Sequence, residues 1–281
     1  MSVADIVAPW QKTVNKLVQT QTEAAAPWGK REGHMTVVLN ETFFVLGGVT
    51  NDNSNTDHYL NDVWSSQGGT NWFRVNPDAR WSPRWYSASV VFNVLNDRIW
   101  VLGGIGANKI SRNDVWYSPD GLNWIVGTTG AAWAGRQGHG AVVFNGKMWV
   151  MGGLTNTTDG LVNDVWSSSN GTNWTLVTPA AAWSPRLYFA LTAFNGKMWV
   201  MGGRDLSVAG YRNDFWSSAD GVIWTQVTNA AAWSGRQAHA SLAFNNRLWV
   251  LGGHGNGNFS DVWSSQSITN MVGELYQFQK Q

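Results

Sequence analysis

The chain has 281 residues, a formal net charge of +1 and no cysteine, and only 13% of its residues are charged. This balance argues against nucleic acid or an anionic membrane as a partner, because both attract strongly positive surfaces. The lack of cysteine excludes disulfides, thiolate catalysis and thiolate metal sites. Gly, Trp, Val, Asn and Thr are abundant, a composition that favours strands and turns.

Residues 1–26 precede the repeated part of the chain and are interpreted as an N-terminal arm. Residues 1–21 contain no basic start followed by an apolar core and a small-residue cleavage site, and no apolar run long enough to cross a membrane. We therefore predict no signal peptide and no membrane helix. We expect a cytoplasmic protein, or a component of an intracellular or virion assembly.

Residues 27–265 contain five near-copies of one unit, with a period of about 50 residues that is typical of β-propellers and similar arrays. In each copy an apolar run ends in a glycine pair: Gly47-Gly48, Gly103-Gly104, Gly152-Gly153, Gly202-Gly203 and Gly252-Gly253. A second motif, Asn-Asp-Val-Trp or a close variant, then begins at Asn61, Asn113, Asn163, Asn213 and Ser260.

The third copy shows how one unit predicts four strands. Residues 138–144 form an apolar, β-branched strand, and Asn145-Gly146 is a strong signal for a two-residue hairpin. Residues 148–151 form the returning strand, and residues 163–168 and 173–178 form the third and fourth strands. Four antiparallel strands in each copy predict an all-β protein with one propeller blade per repeat, five blades in all.

The linkers between copies carry a Trp and an Arg, as in Trp81-Ser82-Pro83-Arg84, and Trp28-Gly29-Lys30-Arg31 opens the first copy. With the glycine pair after an apolar strand and the later Trp, this pattern resembles the Kelch family over residues 27–265. The resemblance implies a Kelch-like propeller. This chain departs from the family in carrying Asp-Val-Trp where many Kelch units have a Tyr, and in having five blades where six or seven are commoner.

The fifth copy ends after its third strand, at Trp263, so a terminal segment must complete it. One candidate is the N-terminal arm, because Gln19 lies nine residues before Trp28, the spacing of a fourth-strand Trp; this predicts a ring-closing strand over about residues 17–23. The other is the C-terminal tail, residues 266–281, where Met271 lies eight residues after Trp263. Both cannot take one edge. We favour the N-terminal strand, with the tail as a possible additional edge strand.

The linker arginines are the first candidate binding residues. The resemblance implies that they lie near the mouth of the central channel, where guanidinium groups could bind carboxylates or phosphates: Arg31, Arg84, Arg136, Arg186 and Arg236. Alternatively, each Arg holds backbone carbonyls or the Asp of a neighbouring Asn-Asp-Val-Trp motif. Repetition in every copy favours this second interpretation.

Positions that differ between copies are the other candidate ligand-binding residues: His34, His139, His239, Trp85, Tyr188, Arg204 and His254. Three of them are histidines that follow the linker Arg by three residues, but with no carboxylate helper in sequence we predict no metal site. The recurring tryptophans are interpreted as packing between blades, because a single site would not need them in every copy.

From these patterns we predict a non-catalytic, Kelch-type interaction module that binds a protein or glycan ligand at the channel mouth. A structural role in a larger assembly, with the terminal arms binding its partners, is a variant of this prediction. The alternative is a sialic-acid-directed enzyme, an epimerase or sialidase-like protein, that uses the Arg set; Glu32, Asp205 and Tyr188 are then the candidate acids or bases. They form no recognisable catalytic constellation, and no cofactor is expected.

Overall fold

The computed structural model describes residues 25–51, 57–93, 96–157, 160–207, 210–265 and 278–280. Over these residues the protein is all-β, with 22 strands and no helix, and so no helix that could span a membrane. The strands form five four-stranded antiparallel sheets and one small two-stranded sheet. This confirms the predicted five-bladed β-propeller with four strands per blade.

Each blade is a meander whose strands pair in chain order. Blade one comprises β1 (Met35–Leu39), β2 (Thr42–Asn51), β3 (Asp57–Ser66) and β4 (Phe73–Asn76). Blade two comprises β5 (Ala88–Asn93), β6 (Asp97–Leu102), β7 (Val115–Ser118) and β8 (Ile125–Thr128). Blade three comprises β10 (Gly140–Phe144), β11 (Lys147–Met151), β13 (Val165–Ser168) and β14 (Thr175–Thr178), and β9 (Arg136–Gln137) pairs with β12 (Leu154–Thr155).

Blade four comprises β15 (Ala190–Phe194), β16 (Lys197–Arg204), β17 (Tyr211–Ser218) and β18 (Thr225–Thr228). Blade five comprises β19 (Ala240–Phe244), β20 (Arg247–His254), β21 (Asn258–Ser265) and β22 (Phe278–Lys280).

Glycine and asparagine set the turns and the close contacts near the axis. Asn145 and Gly146 have φ of 47° and 67°, as the predicted two-residue hairpin requires. Gly153, the second glycine of its pair, has φ of 97°, and a Cβ there would come within 2.8 Å of the Gln137 carbonyl oxygen. The glycine pair therefore lets the second strand pass close to the linker, which no larger residue would allow.

The hydrophobic core lies between the blades. Four apolar clusters of described residues each join two consecutive blades, from the pair one and two to the pair four and five. The linker tryptophans Trp81, Trp133 and Trp183 are fully buried, and Trp183 contacts Trp224 edge-on at 5.9 Å. Burying one Trp side chain stabilises the fold by about 4–6 kcal/mol as an upper bound. The structure confirms the packing interpretation of these residues.

The strand that completes blade five comes from the C-terminus. β22 pairs with β21, with Trp263 opposite Lys280 and Ser265 opposite Phe278. One sheet edge can hydrogen-bond to one strand only, so the favoured placement of an N-terminal strand at this edge is corrected. The C-terminal tail follows β21 directly and therefore closes a much shorter loop than the N-terminus would. Residues 17–23 lie outside the described residues.

Candidate binding surface at the channel mouth

Each linker Arg is held in a buried network inside the propeller, as Arg84 shows. Its Nε donates to the Ser82 carbonyl at 2.9 Å, and one terminal nitrogen donates to the Gly103 carbonyl at 2.9 Å. The two terminal nitrogens also bind both carboxylate oxygens of Asp114, at 2.7 and 2.8 Å. The Trp116 indole N–H donates to the same carboxylate. With the Ser82 hydroxyl as a further acceptor, all five guanidinium N–H groups are used.

The same Arg–Asp pair recurs in every blade: Arg31–Asp62, Arg84–Asp114, Arg136–Asp164, Arg186–Asp214 and Arg236–Asp261. Burial of the Asp114 carboxylate opposes its ionisation, but the Arg84 hydrogen bond and charge outweigh burial and lower the pKa of Asp114. In blade five the hydrogen bond from Arg236 lowers the pKa of Asp261 to about 2. The arginines therefore fasten each linker to its own blade, and these contacts favour the second interpretation of the sequence, in which each Arg holds backbone carbonyls and an Asp.

Residues two positions after each linker Arg surround the axis, and all five have positive φ: Gly33, Tyr86, Gly138, Tyr188 and Ala238. Four backbone hydrogen bonds of 2.8–3.0 Å join them in sequence, from the Tyr86 N–H to the Gly33 carbonyl through to the Ala238 N–H and the Tyr188 carbonyl. A left-handed conformation costs a non-glycine residue about 1–3 kcal/mol, and such strain is concentrated at functional sites. From blade one to blade five, the axis is therefore bordered by a hydrogen-bonded backbone chain.

The small residues of this rim make room for the tyrosines. A Cβ on Gly138 would lie 2.7 Å from the Tyr188 ring, and a Cβ on Gly33 would lie 3.2 Å from the Tyr86 ring. The two tyrosine rings meet with their centroids 4.5 Å apart. Burial, together with the neighbouring Tyr86, raises the pKa of the Tyr188 hydroxyl, which stays protonated at neutral pH. Tyr86 and Tyr188 thus cover the axis with aromatic surface.

The tyrosines continue outward into a row of aromatic rings. Trp85 stacks on Tyr86 at 4.3 Å, and Tyr59 contacts Trp85 edge-on at 5.9 Å. The Lys109 ammonium lies 5.3 Å from the centre of the Tyr59 ring and 2.6 Å from its hydroxyl oxygen. We call Tyr59, Trp85, Tyr86 and Tyr188 the aromatic row. Trp85 and Tyr188 were predicted; Tyr86 was missed, although it occupies the same repeat position as Tyr188.

The candidate histidines line the axial cavity beneath the rim, which has a volume of about 310 Å³. His139 and His239 are buried, and each ring has only a backbone contact, to Leu102 and Met201 respectively, that opposes the effect of burial. Burial, followed by the adjacent linker Arg, lowers the pKa of each to about 3, so both are neutral at pH 7. Phe189 fills the same slot in blade four, and no group of described residues could hold a metal ion. These histidines therefore pack as neutral rings.

The remaining candidates are not members of the aromatic row, although Arg204 lies close enough to Tyr188 to affect the pKa of its hydroxyl. Arg204 is exposed on blade four, and its backbone pairs with Leu187. The exposed His254 contacts Tyr211 edge-on at 5.7 Å and lies 3.0 Å from the Asn258 side-chain oxygen. Asp205, named as a candidate acid, is buried and paired with Arg212 at 2.6 Å, and its pKa is lowered by hydrogen bonds that outweigh its burial. Asp205 is therefore unsuited to proton transfer at neutral pH.

Comparison with known proteins bears on the fold and the family. The solved structure entitled "Structure of YjhT" matches with a TM-score of 0.74 and 16% identity, over 92% of this chain and 86% of that one. This likeness shows a shared propeller fold. A search of curated proteins finds no match. The family model of the KLHDC2/KLHL20/DRC7 Kelch-repeats domain matches residues 124–272, which is more than half of the chain. The chain therefore belongs to the Kelch-repeat family of β-propellers.

Proposed function

We propose that this protein is a non-catalytic recognition module that binds an extended segment of a partner protein on the aromatic row at the channel mouth. Kelch domains generally bind proteins. The observation that carries the proposal is the aromatic row itself, four contacting rings presented where the axis opens. Aromatic side chains are enriched among the residues that dominate binding energy at protein interfaces.

The aromatic row is supported by rigid backbone. Tyr86 donates its N–H to Gly33 and accepts from the N–H of Gly138, and Tyr188 is held in the same way between Gly138 and Ala238. A surface held in this manner loses little conformational entropy when a ligand docks, so more of the contact energy appears as affinity. This supports the interpretation that the tyrosines form a binding surface, over the alternative that they only pack to fill the central channel.

The charges around the aromatic row are mixed in sign. Glu32 and Arg204 are exposed beside Tyr188, where both affect the pKa of its hydroxyl. Lys109 lies 3.6 Å from Asp57, so its charge is partly balanced. Mixed charges favour a polypeptide with polar and apolar side chains over a polyanion. The alternative, a sialic-acid-directed enzyme, loses its main support because the arginines that would bind the carboxylate are bound to aspartates.

The test uses substitutions that the repeat itself already contains. Gly occupies the Tyr86 and Tyr188 position in blades one and three, so Tyr86→Gly with Tyr188→Gly keeps the positive-φ backbone and removes half of the aromatic row. We would select binders to the wild-type chain from a displayed peptide library, probe a glycan array in parallel, and measure Kd for both proteins. The control is Ile223→Ser, at an exposed residue on the far turn of blade four.

We expect the selected peptides to lose at least about tenfold in affinity for the double variant and to bind Ile223→Ser unchanged, since aromatic anchors carry most of such binding energy. Unchanged peptide affinity in the double variant would refute the proposed surface. Binding to glycans alone would refute a protein partner while retaining the surface.

A further inference from the structure

The side of blade five that lies away from blade four is exposed where equivalent surfaces are buried. Phe144 of blade three is 7% exposed, whereas Phe244, at the same strand position, is 57% exposed. Val142 is 9% exposed, and its counterpart Leu242 is 41% exposed. Blade five thus presents large apolar side chains that its neighbour does not cover.

Blade one is likewise exposed on the side that lies away from blade two. Phe43 is 45% exposed, while Ile99 and Met198 at the same register are fully buried. Val38, which pairs with Phe43, is 54% exposed. We call the surface formed by Val38, Phe43, Leu242 and Phe244 the seam.

A glycine contact that closes other interfaces is missing at the seam. Gly171 and Gly221, in the turns before the fourth strands, would place a Cβ within 2.1 and 2.3 Å of Trp100 and Trp149 in the preceding blades. Their counterpart in blade one, Gly69, has no atom within 4 Å. At the seam, therefore, no Trp ring packs against Gly69 as Trp100 and Trp149 pack against Gly171 and Gly221.

The N-terminal arm enters the described structure beside the seam. Trp28 contacts Trp72 edge-on at 5.7 Å, in the same relation as Trp81 to Trp124, a pair that lies between blades one and two. Trp28 therefore lies on the blade-one side of the seam. The 24 residues before Ala25 could extend roughly 80 Å, enough to cross the whole seam.

The sequence of the arm has the amphipathic character that such a surface requires. Trp10, Val14, Leu17 and Val18 recur at spacings of three and four residues, which places them on one side of a helix. We propose that the segment 10–18 of the chain's own N-terminal arm packs on the seam and covers its four apolar side chains. The segment does not compete with β22, which lies along the edge of blade five.

The chain has no cysteine, so introduced cysteines report on the seam alone. We would place Phe244→Cys in the full-length chain and measure its alkylation rate in the monomer. A second protein adds Trp10→Ser and Leu17→Ser to this variant. A third, the matched control, adds Lys12→Ser and Lys16→Ser instead, on the polar side of the same segment. A second measurement follows disulfide formation under oxidation in a chain with Leu17→Cys and Phe244→Cys. The control chain carries Leu17→Cys with Ile223→Cys, on the outer turn of blade four.

We expect the apolar substitutions to speed alkylation of Cys at position 244 by about tenfold and the lysine substitutions to leave it unchanged, because only the apolar side protects the seam. An intramolecular disulfide should form faster for the 17–244 pair than for the 17–223 pair. Equal alkylation rates in all three proteins, with no preference between the pairs, would overturn the proposal. Disulfide-linked dimers through position 244 would also overturn it, in favour of a second copy on the seam.

Discussion

The interface between blades three and four and the seam between blades five and one are built from the same strands and the same repeat positions. At the first, Phe144 is buried and the Gly221 turn lies against Trp149. At the second, Phe244 is exposed, and no atom lies within 4 Å of a Cβ built on Gly69. The comparison teaches that the sequence of one blade does not by itself determine which of its apolar side chains are buried. In a repeat array, each unit buries its apolar surface only against its neighbours.

Blade five also departs from the others at the first residue of its Asn-Asp-Val-Trp motif. In blade three, the Asn163 side chain donates to the Ala181 and Trp183 carbonyls at 2.8 Å each, and Asn61, Asn113 and Asn213 make the same contacts. Blade five has Ser260 at this position. A serine hydroxyl donates only one hydrogen bond, so Ser260 cannot reproduce this pair of contacts.

The largest effect should come from truncating the same side chain on the two surfaces. Phe144→Ala should lower the free energy of unfolding by about 3–5 kcal/mol, since it empties a packed interface. In a chain that also carries Trp10→Ser and Leu17→Ser, Phe244→Ala should lower it by about 1 kcal/mol or less, since no neighbouring blade covers that ring. Urea denaturation of both variants measures the difference, and equal losses would mean that the seam is packed like the other interfaces.

An intermediate effect should come from the turn glycines. Gly221 and Gly69 have φ of 77° and 76°, so Ala strains both backbones equally. Only Gly221→Ala also forces a methyl group into the Trp149 ring, and this overpacking should cost about 1–3 kcal/mol more. Thermal unfolding of the two variants isolates the contact, and a Gly69→Ala variant as unstable as Gly221→Ala would show that a ring closes over Gly69.

The smallest effect should appear in acid, at the axial histidines. The folded-state pKa of His139, about 3, lies below the ordinary value of 6.5, so the unfolded chain binds more protons between these pH values and stability falls as the pH drops from 6.5 towards 3. His139→Phe, which copies Phe189, should remove this loss, on the order of 1–2 kcal/mol at pH 5.

The matched variant for acid stability is His34→Phe, beside the seam. Burial also lowers the pKa of His34, but this residue is only partly buried. Its replacement should therefore recover less stability than His139→Phe does. Unfolding curves from pH 7 to pH 4 compare the two; a greater gain from His34→Phe would contradict the order of burial.

Half of the aromatic row was predicted from sequence, because residues that differ from their counterparts in the other copies are easy to find in a repeat. Trp85 and Tyr188 stood out as residues that break the pattern, and both belong to the aromatic row. Tyr86 carried the same signal, the same repeat position as Tyr188, and was overlooked. The contact between Tyr59 and Trp85 joins residues from different blades, and repeat alignment alone cannot pair such residues.

By itself, the sequence determined the five blades, their hairpin turns and the buried tryptophans, because these depend on short-range chemistry such as the positive φ of Asn145-Gly146. Only the tertiary structure decided that Arg136 binds Asp164, that β22 completes blade five, and that no neighbouring blade covers Phe244 while Phe144 is buried. The physical reason is that repeated residues are chemically alike, and only the presence or absence of a neighbouring blade distinguishes them.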